Sequence, residues 1–291
     1  MTLAGTLRIP KDKGPHPAVV LIAGSGAQTR DGFDSHLRIH ADLLAAQGFA
    51  VLNYDKRGVG ASTGDYRRSG PEDLASDAAA GVALLRSRPD IDPRRIGLLG
   101  FSQGGMIEPF VASVDSSIAF VVNCGGTIVD GEQQEVYRVS AQMRAQGYPE
   151  AETNEAVTVQ ILKFFYARTR LGWESYLAAV ERNRDKKWLT EVVRFVPTTK
   201  DTSTWEFWRK INVNLAERWA RVQAPVLLVY GGLDPPHPLT GASTCFAPRC
   251  RPPDMRPLKS SSIQEPTTIS WRREAARKQT NSWPAAIIRA I

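Results

Sequence analysis

The stretch "IGLLGFSQGG", residues 96–105, decides how the chain is read. Its first half is a continuous apolar run, the pattern of a strand buried on both faces, and a helical pattern opens just past it. Gly100, Ser102 and Gly104 stand as G-x-S-x-G across the junction. Small residues on either side of the serine let the chain turn tightly. Its hydroxyl is then exposed at the strand's C-terminal end, beside the free N–H groups of the following helix. Ser102 is therefore a candidate nucleophile. The alternative is a serine N-cap on a glycine-rich strand-to-helix turn.

Outward from this junction, strand and helix patterns alternate. "PAVVLIAG" (17–24), "FAVLNYD" (49–55), "RIGLLG" (95–100) and "AFVVNC" (119–124) read as buried strands. "SHLRIHADLLAAQG" (35–48), "PEDLASDAAAGVALLRSRP" (71–89) and "QGGMIEPFVASV" (103–114) read as the helices between them. This spacing predicts an α/β fold, a mostly parallel central sheet covered by helices on both faces. The alternation stops near residue 128. From there to about 221 the sequence is amphipathic and helical, and it holds five of the seven tryptophans, Trp173, Trp188, Trp205, Trp208 and Trp219. We read it as an inserted helical subdomain with its own core, serving as a cap over an active site. "APVLLVYGG" (224–232) restores the strand pattern. The expected organisation is a core of 1–128 and 222–238, a helical cap of 129–221, and an atypical basic tail of 239–291.

Charge and composition narrow the function classes. Of the net charge of +7, +6 sits in the tail, where nine Lys/Arg face three Asp/Glu, and the rest of the chain carries only +1. A basic tail can attract anionic surfaces, but no aromatic–basic recognition motif accompanies it, so no nucleic-acid partner is expected. No signal peptide and no run long enough to span a bilayer is read, which predicts a cytoplasmic protein with no membrane partner. Cys124, Cys245 and Cys250 have neither metal-site nor redox spacing. The oligomeric state is not fixed by the sequence.

Three further motifs bear on chemistry. "LIAGSGAQTRDG" (21–32) lacks the lysine and spacing of a phosphate loop. It reads instead as the source of a backbone donor beside Ser102, from Ser25 or a flanking glycine. With the N–H of Gln103 this would make a two-donor oxyanion hole, each donor contributing about 3–4 kcal/mol. In "NYDKRGVGAST" (53–63), Asp55, Lys56 and Arg57 read as internal salt bridges and turns that hold the loop near the nucleophile, rather than as substrate-binding charges. Asp234, just past a strand end and far along the chain from Ser102, suits the acid of a Ser…Asp…His triad, the other reading being a turn aspartate before proline.

Taken in order, these pieces resemble the α/β-hydrolase superfamily. The likeness is strongest to esterases and acyl-peptidase-like serine hydrolases with a helical cap between the sixth and seventh core strands. It rests on Gly24-Ser25-Gly26 with Arg30-Asp31-Gly32, on Tyr54 to Ser62, on Gly100 to Gly105, and on Gly231-Gly232-Leu233-Asp234. The resemblance covers residues 1 to about 236. It implies Ser102 as nucleophile, Asp234 as triad acid, and Gln103 with the 24–26 loop as oxyanion hole. The expected substrate is a small-molecule carboxylic ester, with no metal and no organic cofactor.

The tail departs from the family's pattern. Family members carry the triad histidine after the last core strand, some 25–45 residues beyond the acid, whereas 239–291 contains no histidine. "TTISW" (267–271) is its one strand-like run, and a change of reading frame just past Asp234 would account for the difference. Four histidines remain as possible bases. His16 reads as a turn residue before a strand, and His36 and His40 as surface or helix packing, since their i, i+4 spacing has no carboxylate or cysteine partner to complete a metal site. His237 is the tentative base, because Pro235-Pro236 favours a polyproline II turn that points Asp234 and His237 the same way, the other reading being a turn histidine. Without a working base the chain would instead be a catalytically impaired binding protein on the same fold.

Overall fold

The apolar runs become a parallel sheet because each strand is buried on both faces. The computed structural model describes residues 1–200, 203–230 and the backbone of 267–272. Its strands are β1 (Thr2–Arg8), β2 (His16–Ile22), β3 (Ala50–Tyr54), β4 (Ile91–Phe101), β5 (Val121–Cys124), β6 (Val226–Val229) and β7 (Thr267–Arg272). Among the described residues they form one sheet in the order β6-β5-β4-β2-β3-β1-β7. The five strands β2 to β6 pair in parallel, and β1 runs antiparallel to both β3 and β7. The strand-like run in the tail is thus β7, which pairs through Leu3↔Trp271 and Gly5↔Ile269. His16 opens β2 and is buried, with its N–H on Asp90 O at 2.9 Å. This corrects the reading of a turn residue. The flanking prolines suggested a loop, and pairing with β4 overrides that signal.

Helices α1 (His36–Ala46), α2 (Pro71–Arg86) and α3 (Gln103–Ala112) are the crossovers. Alternate residues of each strand face opposite layers. Val19, Leu21 and Val51 pack with Ala41, Leu44 and Ala45 of α1, and with Phe49 and Phe120. Val20 and Leu52 face α2, where a Cβ on Gly81 would lie 3.4 Å from Val20 and 3.1 Å from Leu52. Each such buried aliphatic side chain contributes about 1.5–3 kcal/mol. Pro71 pre-sets the first turn of α2, whose Asp73 carboxylate accepts the Gly70 N–H at 3.1 Å.

The chain runs from β2 outward to β3, then crosses back to β4 on the other side of β2. The C-terminal ends of β2 and β4 therefore flank the point where strand order reverses, and in open parallel sheets that crevice is the usual place for a ligand. Ser102 follows β4, and the 23–32 loop follows β2.

Two compact units are distinguished: residues 1–128 with 217–230 carry the sheet, and residues 129–216 are helical. The helical unit contains α4 (Gly131–Ala145), α5 (Glu150–Thr169), α6 (Trp173–Arg182) and α7 (Ser203–Ile211), with α8 (Leu215–Ala220) at its boundary. Tryptophans 173, 188, 205 and 208 are buried in this unit. Trp205 meets Tyr166, Trp173 and Tyr176 with ring centroids 4.7–6.0 Å apart, so these aromatics fill the unit's own core. Trp219 belongs to the sheet-bearing unit.

Candidate active site

Ser102 occupies a backbone conformation that non-glycine residues rarely adopt, with φ 51° and ψ −113°. Such a residue costs about 1–3 kcal/mol and persists only where its surroundings enforce it. Here the Ser102 N–H bonds Cys124 O at 2.9 Å, and Ser102 O accepts the Gly105 N–H at 3.0 Å. The glycines are required by close approach. A Cβ on Gly100 would lie 2.4 Å from the Gly104 carbonyl carbon, and one on Gly104 would lie 2.1 Å from Ile22 O. The start of α3 is therefore wedged against the end of β2, and Ser102 is left exposed between them. Its side chain makes no capping hydrogen bond to α3, so the N-cap reading has no geometric support.

The loop after β2 lies alongside. A Cβ on Gly24 would come within 3.5 Å of Ser102 Cβ and 3.2 Å of Phe101 O. Ser25 is exposed, and Ser25 O accepts from Gln28 Nε2 at 2.9 Å. Gln28 is itself held by its carbonyl, which accepts the Lys56 N–H at 3.1 Å. Gln103 is the first residue of α3, where a backbone N–H has no partner one turn earlier.

The charged loop after β3 is a set of buried ion pairs with one exception. Asp55 receives Arg30 Nε at 3.0 Å and Nη2 at 2.6 Å, together with the N–H groups of Arg30 and Ala61 at 2.8 and 2.9 Å. Burial alone would raise the Asp55 carboxyl, but the Arg30 hydrogen bonds and these amides hold it below the ordinary aspartate value. Arg57 forms a two-bond pair with Asp77, each contact 2.7 Å. Lys56 corrects the sequence reading. Among the described residues it makes no salt bridge, and its Nζ donates to Gly24 O at 2.5 Å and to Gln103 Oε1 at 3.0 Å. Burial lowers its ammonium to about 8.

Asp234 and His237 lie outside the described residues, as does most of the tail. His36 and His40 set their rings edge-on to Phe101 at 5.4 and 4.8 Å, in keeping with helix packing. Cys124 is no rival nucleophile, since burial, with a contribution from Glu108, pushes its thiol up to about 12.

Glu108, in the second turn of α3, was not singled out by the sequence reading, although an acid inside the apolar run "MIEPFVA" is itself a signal. It is fully buried, and among the described residues neither carboxylate oxygen has a hydrogen-bond partner of good geometry. Desolvation holds its carboxyl well above the ordinary 4.5, the Gly100 backbone offsetting only part. Above pH 4.5 the unfolded chain gives up this proton while the folded chain keeps it. Rising pH then removes about 1.4 kcal/mol of stability per unit until the folded group ionises. Glu108→Gln removes the slope. Its urea midpoint is expected to gain on the parent's as pH rises above 5, and parallel curves would refute this.

A parallel sheet with helices on both faces, and an exposed serine on a strained strand-to-helix turn at its switch point, define an α/β hydrolase. More narrowly, the chain belongs to the X-Pro dipeptidyl-peptidase (S15) family, whose model matches residues 1–254. It is 34% identical over 113 residues to Esterase EstD of Thermotoga maritima, a match covering 38% of this chain and 27% of that protein. It is 27% identical over 242 residues to an uncharacterized 31.7 kDa protein of Escherichia coli, covering 81% and 79% of the two chains. The α/β hydrolase GrgF of Penicillium sp. sh18 is a similar solved structure, with 18% identity, TM-score 0.49, and coverage of 79% of this chain and 76% of that one. No helix among the described residues is long and apolar enough to cross a membrane.

Proposed function

We propose that the chain hydrolyses small carboxylic esters through an acyl-serine intermediate on Ser102. The observation that carries this reading is the strained, exposed Ser102 turn at the switch point of the sheet. The similarity of part of the chain to an esterase supports it. Ser102 Oγ bonds to the ester carbonyl carbon as its proton passes to a base, with His237 proposed in that role and Asp234 as its orienting acid. The negative charge on the carbonyl oxygen is taken by the N–H of Gln103 and one from the 24–26 loop, Ser25 in our reading. The carbon–oxygen bond to the alcohol then breaks and the alcohol leaves with the proton. Water attacks the acyl-serine by the reverse proton route, releasing the carboxylic acid and restoring Ser102. No metal or organic cofactor enters this scheme. The helical unit, inserted between β5 and β6, is assigned as the cap.

The test pairs a label with a substrate panel. A fluorophosphonate adduct is expected on Ser102, with p-nitrophenyl acetate turned over faster than the matching thioester or an X-Pro p-nitroanilide. An adduct elsewhere, or none, overturns the acyl-serine assignment. A faster thioester or anilide overturns the ester assignment alone.

A further inference from the structure

Lys56 is an expensive residue to place where it stands. It is 5% exposed, and among the described residues no carboxylate lies within ion-pair distance. An aliphatic side chain would fill the same volume beside Ile22, Tyr54, Leu74 and Ile107 without burying an ammonium. What the ammonium adds is its pair of acceptors. Gly24 O, at 2.5 Å, comes from the loop after β2, and Gln103 Oε1, at 3.0 Å, comes from the first residue of α3.

Both acceptors belong to the two segments that flank Ser102. The carbonyl of Gly24 shares its peptide unit with the N–H of Ser25, and that peptide is trans. In a trans peptide the C=O and N–H point in opposite directions. A cation bound to Gly24 O therefore fixes the direction of the Ser25 N–H, and by polarising the amide it makes that N–H a stronger donor. On the other side, the hydrogen bond to Gln103 Oε1 anchors the residue whose own N–H is the second donor.

From this geometry we infer that Lys56 is the positioning residue of the oxyanion hole, one ammonium setting both donor-bearing segments. The inference rests on the acyl-serine reading given above. Lys56 acts through Gly24 and Gln103 and touches no substrate. Its loss should lower affinity for the tetrahedral state and leave ground-state binding alone.

The experiment compares the parent with Lys56→Met, Lys56→Arg and Gln103→Met. The readouts are kcat and KM for p-nitrophenyl acetate, the rate of fluorophosphonate labelling, and the thermal midpoint. Lys56→Met is expected to lower kcat and the labelling rate by roughly 10²–10³-fold, the loss typical of one oxyanion donor, with KM changed less than twofold. Lys56→Arg, which keeps the charge, should recover part of the loss. Gln103→Met removes one tether at a half-exposed side chain, and about a tenfold fall in kcat at constant KM is expected. If Lys56→Met does not fold, the Gln103→Met result decides. A labelled parent with variants at parental kcat, or variants in which KM rises and kcat holds, overturns the positioning role and leaves the hydrolase reading standing. A parent that takes no label overturns the hydrolase reading itself.

Discussion

Replacing Ser102 by alanine is expected to lower kcat for p-nitrophenyl acetate by roughly 10⁴–10⁶-fold and to abolish fluorophosphonate labelling. What remains is the rate that oxyanion donors and binding supply without a nucleophile, roughly 10³–10⁴ over water. Folding should be almost untouched, because the Ser102 side chain makes no capping hydrogen bond and the strained turn is held by backbone contacts. This separates the nucleophile from the N-cap alternative. Loss of a working serine cap would cost about 1 kcal/mol of stability and leave the rate alone. Unchanged turnover in a folded Ser102→Ala protein would end the assignment.

The second large effect falls on stability. Arg57 and Asp77 are both buried, Asp77 to 1% exposure, and they meet through two parallel contacts of 2.7 Å. Removing one partner of such a pair leaves an uncompensated charge in the interior and costs about 3–5 kcal/mol. Asp77→Asn should sit near the lower end, because Arg57 keeps Asp73 at 3.2 Å and Ser69 Oγ at 3.2 Å. A fall in the urea midpoint with unchanged slope is expected. Glu150→Gln, which breaks the exposed Arg144–Glu150 pair at 2.5 Å, is the control and should leave the midpoint where it was. Equal shifts in the two variants would mean that burial does not set the strength of these pairs. Arg57 follows Lys56 directly, so the Asp77→Asn protein should also lose some turnover if the loop supports the site.

How much of this was legible in the sequence depends on the range of the interaction. The pattern of the Ser102 turn was legible, although the contacts that enforce it, Gly104 against Ile22 O and the Ser102 N–H on Cys124 O, come from distant residues. A buried strand, two glycines that cannot carry a Cβ, and a helix start all fall within ten residues. The α1, α2 and α3 crossovers were equally plain from apolar spacing. β1 was missed, since "TLAGTLR" mixes small and polar residues and owes its strand form to partners at 51–54 and 267–272. Of the Asp55-Lys56-Arg57 triplet, the ion pairs of the outer two matched expectation. Lys56 did not, because a lysine in sequence carries no mark of whether it will meet a carboxylate or two neutral oxygens.

The sequence by itself determined the class of fold, the position of the serine turn and the helical character of residues 129–221, because apolar periodicity and the strand–Gly-x-Ser-x-Gly–helix order are read between near neighbours. Only the tertiary structure decided that Gly24, Lys56 and Gln103 meet. They follow three different strands, and parallel crossovers bring those strand ends together across 32 and 47 residues of chain. Their meeting depends on strand order and register, which hydrogen bonding across the sheet sets and no local stretch encodes.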